Sequence, residues 1–265
     1  MSAGYLTLGY GQVAAAAVLV AVSGALSVWL RLGFARALTI ASARTAVQLL
    51  LVGLVLHWVF RLDRWPVVLA LVLSMTLVAG ATAVRRARRR HPGIWVASIG
   101  SVAGSAWLVT AFAVAIVVRP EPWYAAQYVI PFAGLVLGNT LTGISLALDR
   151  FDEELVRRKG EVETLLALGA TSWEAAGDPI RRAVHAGLTP MINAMSVAGI
   201  VSLPGMMSGQ LLAGVAPVQA VKYQVVVMFL LAAGTAFGTV AVVLLSYRRL
   251  FNRDHQFESD RITLA

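Results

Sequence analysis

Long apolar runs separated by short basic loops dominate the chain. A helix needs about 20 mostly apolar residues to cross a bilayer, and only backbone that closes its own hydrogen bonds is tolerated there. Seven segments reach that length: Leu8–Leu30, Leu38–Phe60, Pro66–Val84, Ile94–Val118, Ala125–Leu148, Leu188–Leu212 and Ala220–Ser246. The pattern predicts an all-α polytopic membrane protein of about seven transmembrane helices. With no internal repeat and no low-complexity linker, 1–265 reads as one transmembrane domain. Met1–Tyr10 carries no Lys or Arg, and the first run is longer than the apolar core of a signal peptide, so a retained helix is expected.

Composition agrees: 58% of residues are hydrophobic, 13% are charged and the mean hydropathy is +0.76, more apolar surface than a soluble core of 265 residues hides. The net charge of +9 would suggest nucleic acid in a soluble protein, but here it sits in loops between spans, and no nucleic-acid partner is expected. Alternate loops divide the basic residues very unevenly. One side has Arg61, Arg64, Arg119 and Lys222; the other has 17, including Arg85, Arg86, Arg88, Arg89 and Arg90. Because Lys and Arg are held in the cytoplasm, the N-terminus is predicted external and the C-terminus cytoplasmic. The five-arginine run is a topology anchor on the plain reading and a lipid or nucleic-acid contact on the other. Zero cysteines exclude a disulfide framework and a thiolate site.

The polar stretch Asp149–Gly187 is the one cytoplasmic loop long enough to act on a partner. From Phe151 to Leu168, charges at Asp152, Glu153, Arg157, Lys159 and Glu161 oppose Leu155, Val162, Leu165, Leu166 and Leu168, as in an amphipathic helix. Gly169 ends it. A second helix is expected from Ser172 as N-cap, with Ala175 rather than Glu at the third position, limited by Pro179 and Gly187. The product is a helix-turn-helix knob whose tip, Ala167 to Glu174, suits a partner's groove. A hairpin lying flat on the bilayer has the same pattern.

At membrane depth, ionisable residues are costly and mark function. All 13 carboxylates fall outside the apolar runs or at their ends, so the buried acid of a proton-coupled carrier is missing. Arg44, with Gln48 one turn on, either lines a pathway or snorkels. The fifth run holds Pro131, Gly134, Gly138, Asn139 and Gly143; the sixth holds Asn193, Pro204, Gly205, Met206, Met207, Gly209 and Gln210. Proline kinks are expected at Pro131 and at Pro204-Gly205, where a cavity or protein contact would tolerate them. Glycines four apart (100/104, 134/138, 205/209, 234/238) predict close helix packing. Met206 and Met207 are soft ligands or adaptable filler. His57, His91, His185 and His255 show no ligand spacing, so any metal site is left unassigned. An intramembrane enzyme lacks its nucleophile and base. Neither lysine, Lys159 nor Lys222, follows a glycine, so the chain has no P-loop and is not itself an ATPase.

The string from Glu163 through Ala167, Gly169, Ala170, Trp173 and Glu174 resembles the EAA loop by which ABC-transporter permeases dock in a cleft of their ATPase. Thr164 and Leu165 depart from its two alanines, and no Leu-Pro follows Ile180. Arg44 with Gln48-Leu-Leu-Leu-Val-Gly53, Pro131 to Arg150, Pro190 to Asn193, Val201 to Gln210 and Tyr223-Gln224 resemble the FetB-type family of ABC permeases, over about Arg44 to Arg249. That resemblance implies a multi-pass protein of the cell (inner) membrane, working as a permease homodimer with a separate ATPase. The chain itself would hold no cofactor, and ATP and Mg would act through the partner. The family implies export of iron or another metal; plant relatives imply aluminium tolerance, with a nucleotide sugar or organic anion as alternative cargo. A scaffold that holds an ATPase without transporting is the remaining alternative. The pathway residues to consider are Arg44, Gln48, Asn139, Asn193, Met206, Met207 and Gln210.

Overall fold

A computed structural model describes residues 9–62, 64–252 and 254–264 of the chain. Leu8, where the first span was expected to begin, and Arg253, one of the 17 basic residues above, lie outside them. The protein is a multi-pass all-α membrane protein. Its helices are α1 (Tyr10–Trp29), α2 (Ala35–Leu62), α3 (Trp65–Arg86), α4 (Ile94–Phe112), α5 (Ala126–Arg157), α6 (Lys159–Ala167), α7 (Ser172–Val197), α8 (Gly205–Leu212) and α9 (Pro217–Leu250). A π-helical turn, Ala113–Val118, extends α4 to the predicted end of its span.

The chain divides into two compact units. In the first, α1 and α2 form a hairpin. Its turn passes through Arg31 at φ 52° and Gly33 at φ 77°, and Phe34 N–H donates to Ser27 Oγ at 3.2 Å. Most side chains of these two helices are exposed apolar groups, as lipid-facing helices require.

The second unit holds α3 to α7, most of α8, and α9. Its core, around Val102, Val136, Ile144, Leu148 and Val242, is built on small residues that admit close backbone approach. A Cβ on Gly238 would lie 2.5 Å from Thr140 Cγ2 and one on Gly234 2.8 Å from Val136 Cγ1, so this glycine pair packs as expected. Gly100, Gly104, Gly138, Gly205 and Gly209 do not, since nothing in the described chain lies within 4 Å of a Cβ there. Gly80, not anticipated, packs on Ile99.

These contacts fix helix directions. Trp107 Nε1 donates to Thr76 Oγ1 at 3.0 Å and Ser98 Oγ to the Gly80 carbonyl at 3.0 Å, which makes α3 and α4 antiparallel. Ser105 meets Gly238 and Val109 meets Gly234, so α4 and α9 are antiparallel; Val136 meets Gly234 and Ile144 meets Gly238, so α5 and α9 are parallel. Gly187 packs on Thr239 and Ser172 on Tyr247, so α7 opposes α9. The chain from Ser172 to Leu212 therefore traverses the unit once, between two parallel neighbours.

That traverse corrects the predicted sixth span. Among the described residues six helices are long and apolar enough to cross a membrane; the segment 188–212 is not one of them. Residues 188–197 belong to α7, 198–204 are non-helical and 205–212 form α8. Proline at 204 cannot donate to the ladder, and Gly199 at φ 82° turns the chain, so the break falls where both act. Pro131, in contrast, sits in the second turn of α5, which continues on both sides of it.

Candidate functional site

The polar loop is built differently from its prediction. Instead of one amphipathic helix over 151–168, α5 runs on to Arg157, beyond the apolar stretch that ends at Leu148, and α6 follows after a single-residue offset at Arg158. Leu155 and Val162 are buried as expected, but so is Asp152, which was assigned to the charged face. Asp152 falls on a buried side of α5, near Asp149 and Arg89.

Helix α6 ends in a left-handed glycine turn: Gly169 has φ 92°, and Ala170 N–H returns to the Leu165 carbonyl. The N-cap of α7 is Thr171, not Ser172. Thr171 Oγ1 accepts from Glu174 N–H at 3.3 Å, and Glu174 Oε2 accepts from Thr171 N–H at 2.8 Å. This is a complete capping box, which a cap one residue later had hidden. The hydrogen bonds from Thr171 hold the Glu174 carboxyl below the ordinary carboxylate range. Helix α7 then continues through Pro179, Gly187 and Pro190 rather than stopping at them.

The expected docking residues cluster at this turn. Glu163 is exposed and pairs loosely with Lys159 at 3.7 Å; Ala167 and Gly169 are exposed and Ala170 is half-buried. Trp173 is 53% exposed and sets its edge against Tyr247 of α9, ring centres 5.7 Å apart. Glu174 is occupied in capping. Leu168, placed by the sequence on the apolar face and within the tip but not among the docking residues, is 80% exposed at the apex, because it follows the end of α6 and precedes the glycine turn.

Three groups of contacts, centred on Asp178, Glu154 and Ser172, stiffen the hairpin. Arg158 bonds Asp178 across its arms, and Arg182 donates to Asp178 Oδ2 at 2.9 Å. Buried Glu154 takes Arg157 and Arg150 at 2.7 Å each and Arg158 at 3.3 Å. Burial alone would raise its carboxyl, but the Arg157 hydrogen bonds and the surrounding arginine charges hold it below the usual range. Ser172, freed from capping, is buried, with its Oγ 2.7 Å from Tyr247 Oη and 2.9 Å from His255 Nδ1. The tail that carries His255 runs on to pair Thr263–Leu264 (β2) with Arg89–Arg90 (β1) of the arginine run.

The residues proposed for a pathway are divided between the two units. Arg44 and Gln48 lie exposed on α2, in the first unit. Asn139 Nδ2 donates to the Leu135 carbonyl at 3.0 Å within its own helix, and Asn193 is exposed on α7. Met206 packs on the core; Gln210 is half-buried, with Oε1 unpartnered. Met207 lines a 380 Å³ cavity beside the helix break, which Pro204 also lines and Gly205 borders.

Against known proteins, the uncharacterised protein family UPF0014 matches residues 10–251. The membrane protein slr1647 of Synechocystis is 37% identical over 88% of this chain and 90% of its own. The probable iron export permease protein FetB of Escherichia coli is 30% identical over 80% of this chain and 81% of its own. The protein ALUMINUM SENSITIVE 3 of Arabidopsis thaliana is 29% identical over 93% of this chain and 89% of its own. No solved structure matches. By a family match that covers nearly its whole length, and by these relatives, the chain belongs to the UPF0014 family of membrane proteins.

Proposed function

We propose that the chain is the permease subunit of an ABC-type transporter, working as a homodimer and energised by a separate ATPase that grips the α6–α7 hairpin. The cargo in this reading is a metal ion, iron or another, moved outward. The observation that carries it is the hairpin: an apolar apex, Leu168, held out on a braced and capped turn. An ordinary surface-lying hairpin has no reason to be cross-braced by Arg158–Asp178 and by the tail. Helix α7 starts at this apex and ends at the helix break, and α9 starts beside the break and ends against Ser172. Both are continuous rods, so displacement of the hairpin by ATPase closure is delivered to the far end of the unit about 35 Å away.

With the basic residues cytoplasmic, the hairpin faces the ATPase and the break lies toward the outside. Relatives named as an iron export permease and as an aluminium-sensitivity protein favour metal over an organic anion. The test is co-purification with the cognate ATPase, and its stimulated hydrolysis, for Leu168→Glu and Gly169→Trp. Both variants are expected to lose at least tenfold of the partner; Leu168→Glu should keep the wild-type melting temperature, and Gly169→Trp, which puts a side chain at φ 92°, should melt lower. Normal capture and stimulation in both would overturn the docking assignment.

A further inference from the structure

The cavity at the break is lined by three methionines from three places: Met195 near the end of α7, Met207 in α8 and Met228 in α9. Between them lies Gln224, 7% exposed, whose side-chain carbonyl has no hydrogen-bond partner. A buried amide oxygen left unpaired is a cost that native proteins retain where something else supplies the partner. The backbone contributes too. Past Val197 the helix ends: Gly199 donates to the Ser202 carbonyl, while Ile200, Val201 and Ser202 all donate to that of Val197. Ala198 and Gly199, directly after α7, line the cavity, so the partly negative C-terminal end of that helix lies beside it, which favours a cation.

The donor set decides which cation. Thioether sulfur and amide oxygen are neutral and mostly soft, and no carboxylate, imidazole or thiolate lines the cavity. A divalent ion brought here has no counter-charge, and its desolvation costs about four times that of a monovalent ion of the same size. Lys222 sits two residues before Gln224, about 200° round α9, on an exposed face. We propose that Met195, Met207, Met228 and Gln224 form a binding site for a soft monovalent metal ion of the Cu(I) or Ag(I) type at the α7–α8 break.

Binding stands on this geometry alone; its place in transport rests on the permease reading. The test uses the full chain in detergent with Ag(I) as probe, bound metal being measured by equilibrium dialysis and mass spectrometry. The unsubstituted chain is expected to hold about one Ag(I). Met207→Leu with Met228→Leu should weaken binding at least tenfold, and Met195→Leu, at a partly exposed position that tolerates change, should weaken it severalfold. Met75→Leu, outside the cavity, should leave it unchanged. No Ag(I) bound, equal loss in Met75→Leu, full binding in the cavity variants, or Fe(II) displacing Ag(I) at equal concentration would each overturn the site. ATPase capture by the same variants, expected to stay normal, is read separately, so failure of the metal site is distinct from failure of the permease reading.

Discussion

Asp152 shows what burial does to one side chain. It is fully buried, neither carboxylate oxygen has a partner, and burial followed by the neighbouring Asp149 charge raises its pKa to about 8 against the pull of Arg89. A carboxyl raised above its unfolded value binds a proton in the folded state that the unfolded chain has released. Its contribution is therefore fully present below about pH 4 and is lost as pH rises toward 8, by at most about 1.4 kcal/mol per unit. Asp152→Asn removes the titration. Melting curves in detergent from pH 5 to 9 should show the variant gaining on wild type up to pH 8 and then running level with it; a constant difference would mean that Asp152 is ionised in the folded protein. The residue was misread because a helical wheel ranks positions by polarity within one helix, while burial depends on tertiary packing, here near Arg89, which is far away in the sequence. The Thr171 cap was missed for another reason: both Thr171 and Ser172 have hydroxyls, but only Thr171 has a glutamate three residues on, the capping-box pattern that tells them apart.

Among the elements, the length and position of most spans were legible, because hydropathy reports the medium a helix must suit. What hydropathy does not report is continuity. The run 188–212 is mostly apolar, yet it holds a break between the end of α7 and the short α8, while Pro179 and Pro190 lie inside an intact α7. Packing decides these cases. Where α5, α7 and α9 meet, a Cβ on Gly187 would stand 2.7 Å from the Gly143 carbonyl and 2.6 Å from Thr239 Cγ2. Backbone does not yield as a side-chain tip does, so Gly187→Ala should destabilise by about 1–3 kcal/mol, read as a lower melting temperature. Gly177→Ala, in the same helix with nothing within 4 Å, should be neutral or slightly stabilising through helix propensity. Equal effects at both sites would show that the crossing adapts. The turn at Gly169 was legible because it is local: a glycine that ends an amphipathic helix needs no distant partner. The brace from Tyr247 and His255 was not, since it joins positions 75 and 83 residues apart.

For the whole molecule, helix directions and charge asymmetry make separate statements about topology. Directions put Pro217 at the opposite end of its unit from the hairpin, with the broken segment as one traverse; the charge asymmetry leads one to expect the hairpin inside the cell. The chain contains no cysteine, so single cysteines report on it without a background to remove. Glu121, Glu163 and Gln219 are exposed and lie in the α4–α5 loop, on the hairpin and at the start of α9. In intact cells, a membrane-impermeant maleimide should label Glu121→Cys and Gln219→Cys, and Glu163→Cys only after permeabilisation. Labelling of all three from outside only, or from inside only, would mean that α5 does not cross. Glu121 outside with Gln219 inside would mean that Ser172 to Leu212 folds back on itself, and then α7 could not carry motion from hairpin to cavity. The reverse pattern, Glu163 alone outside, would keep every crossing and invert the protein, which would place the hairpin beyond the reach of any cytoplasmic ATPase.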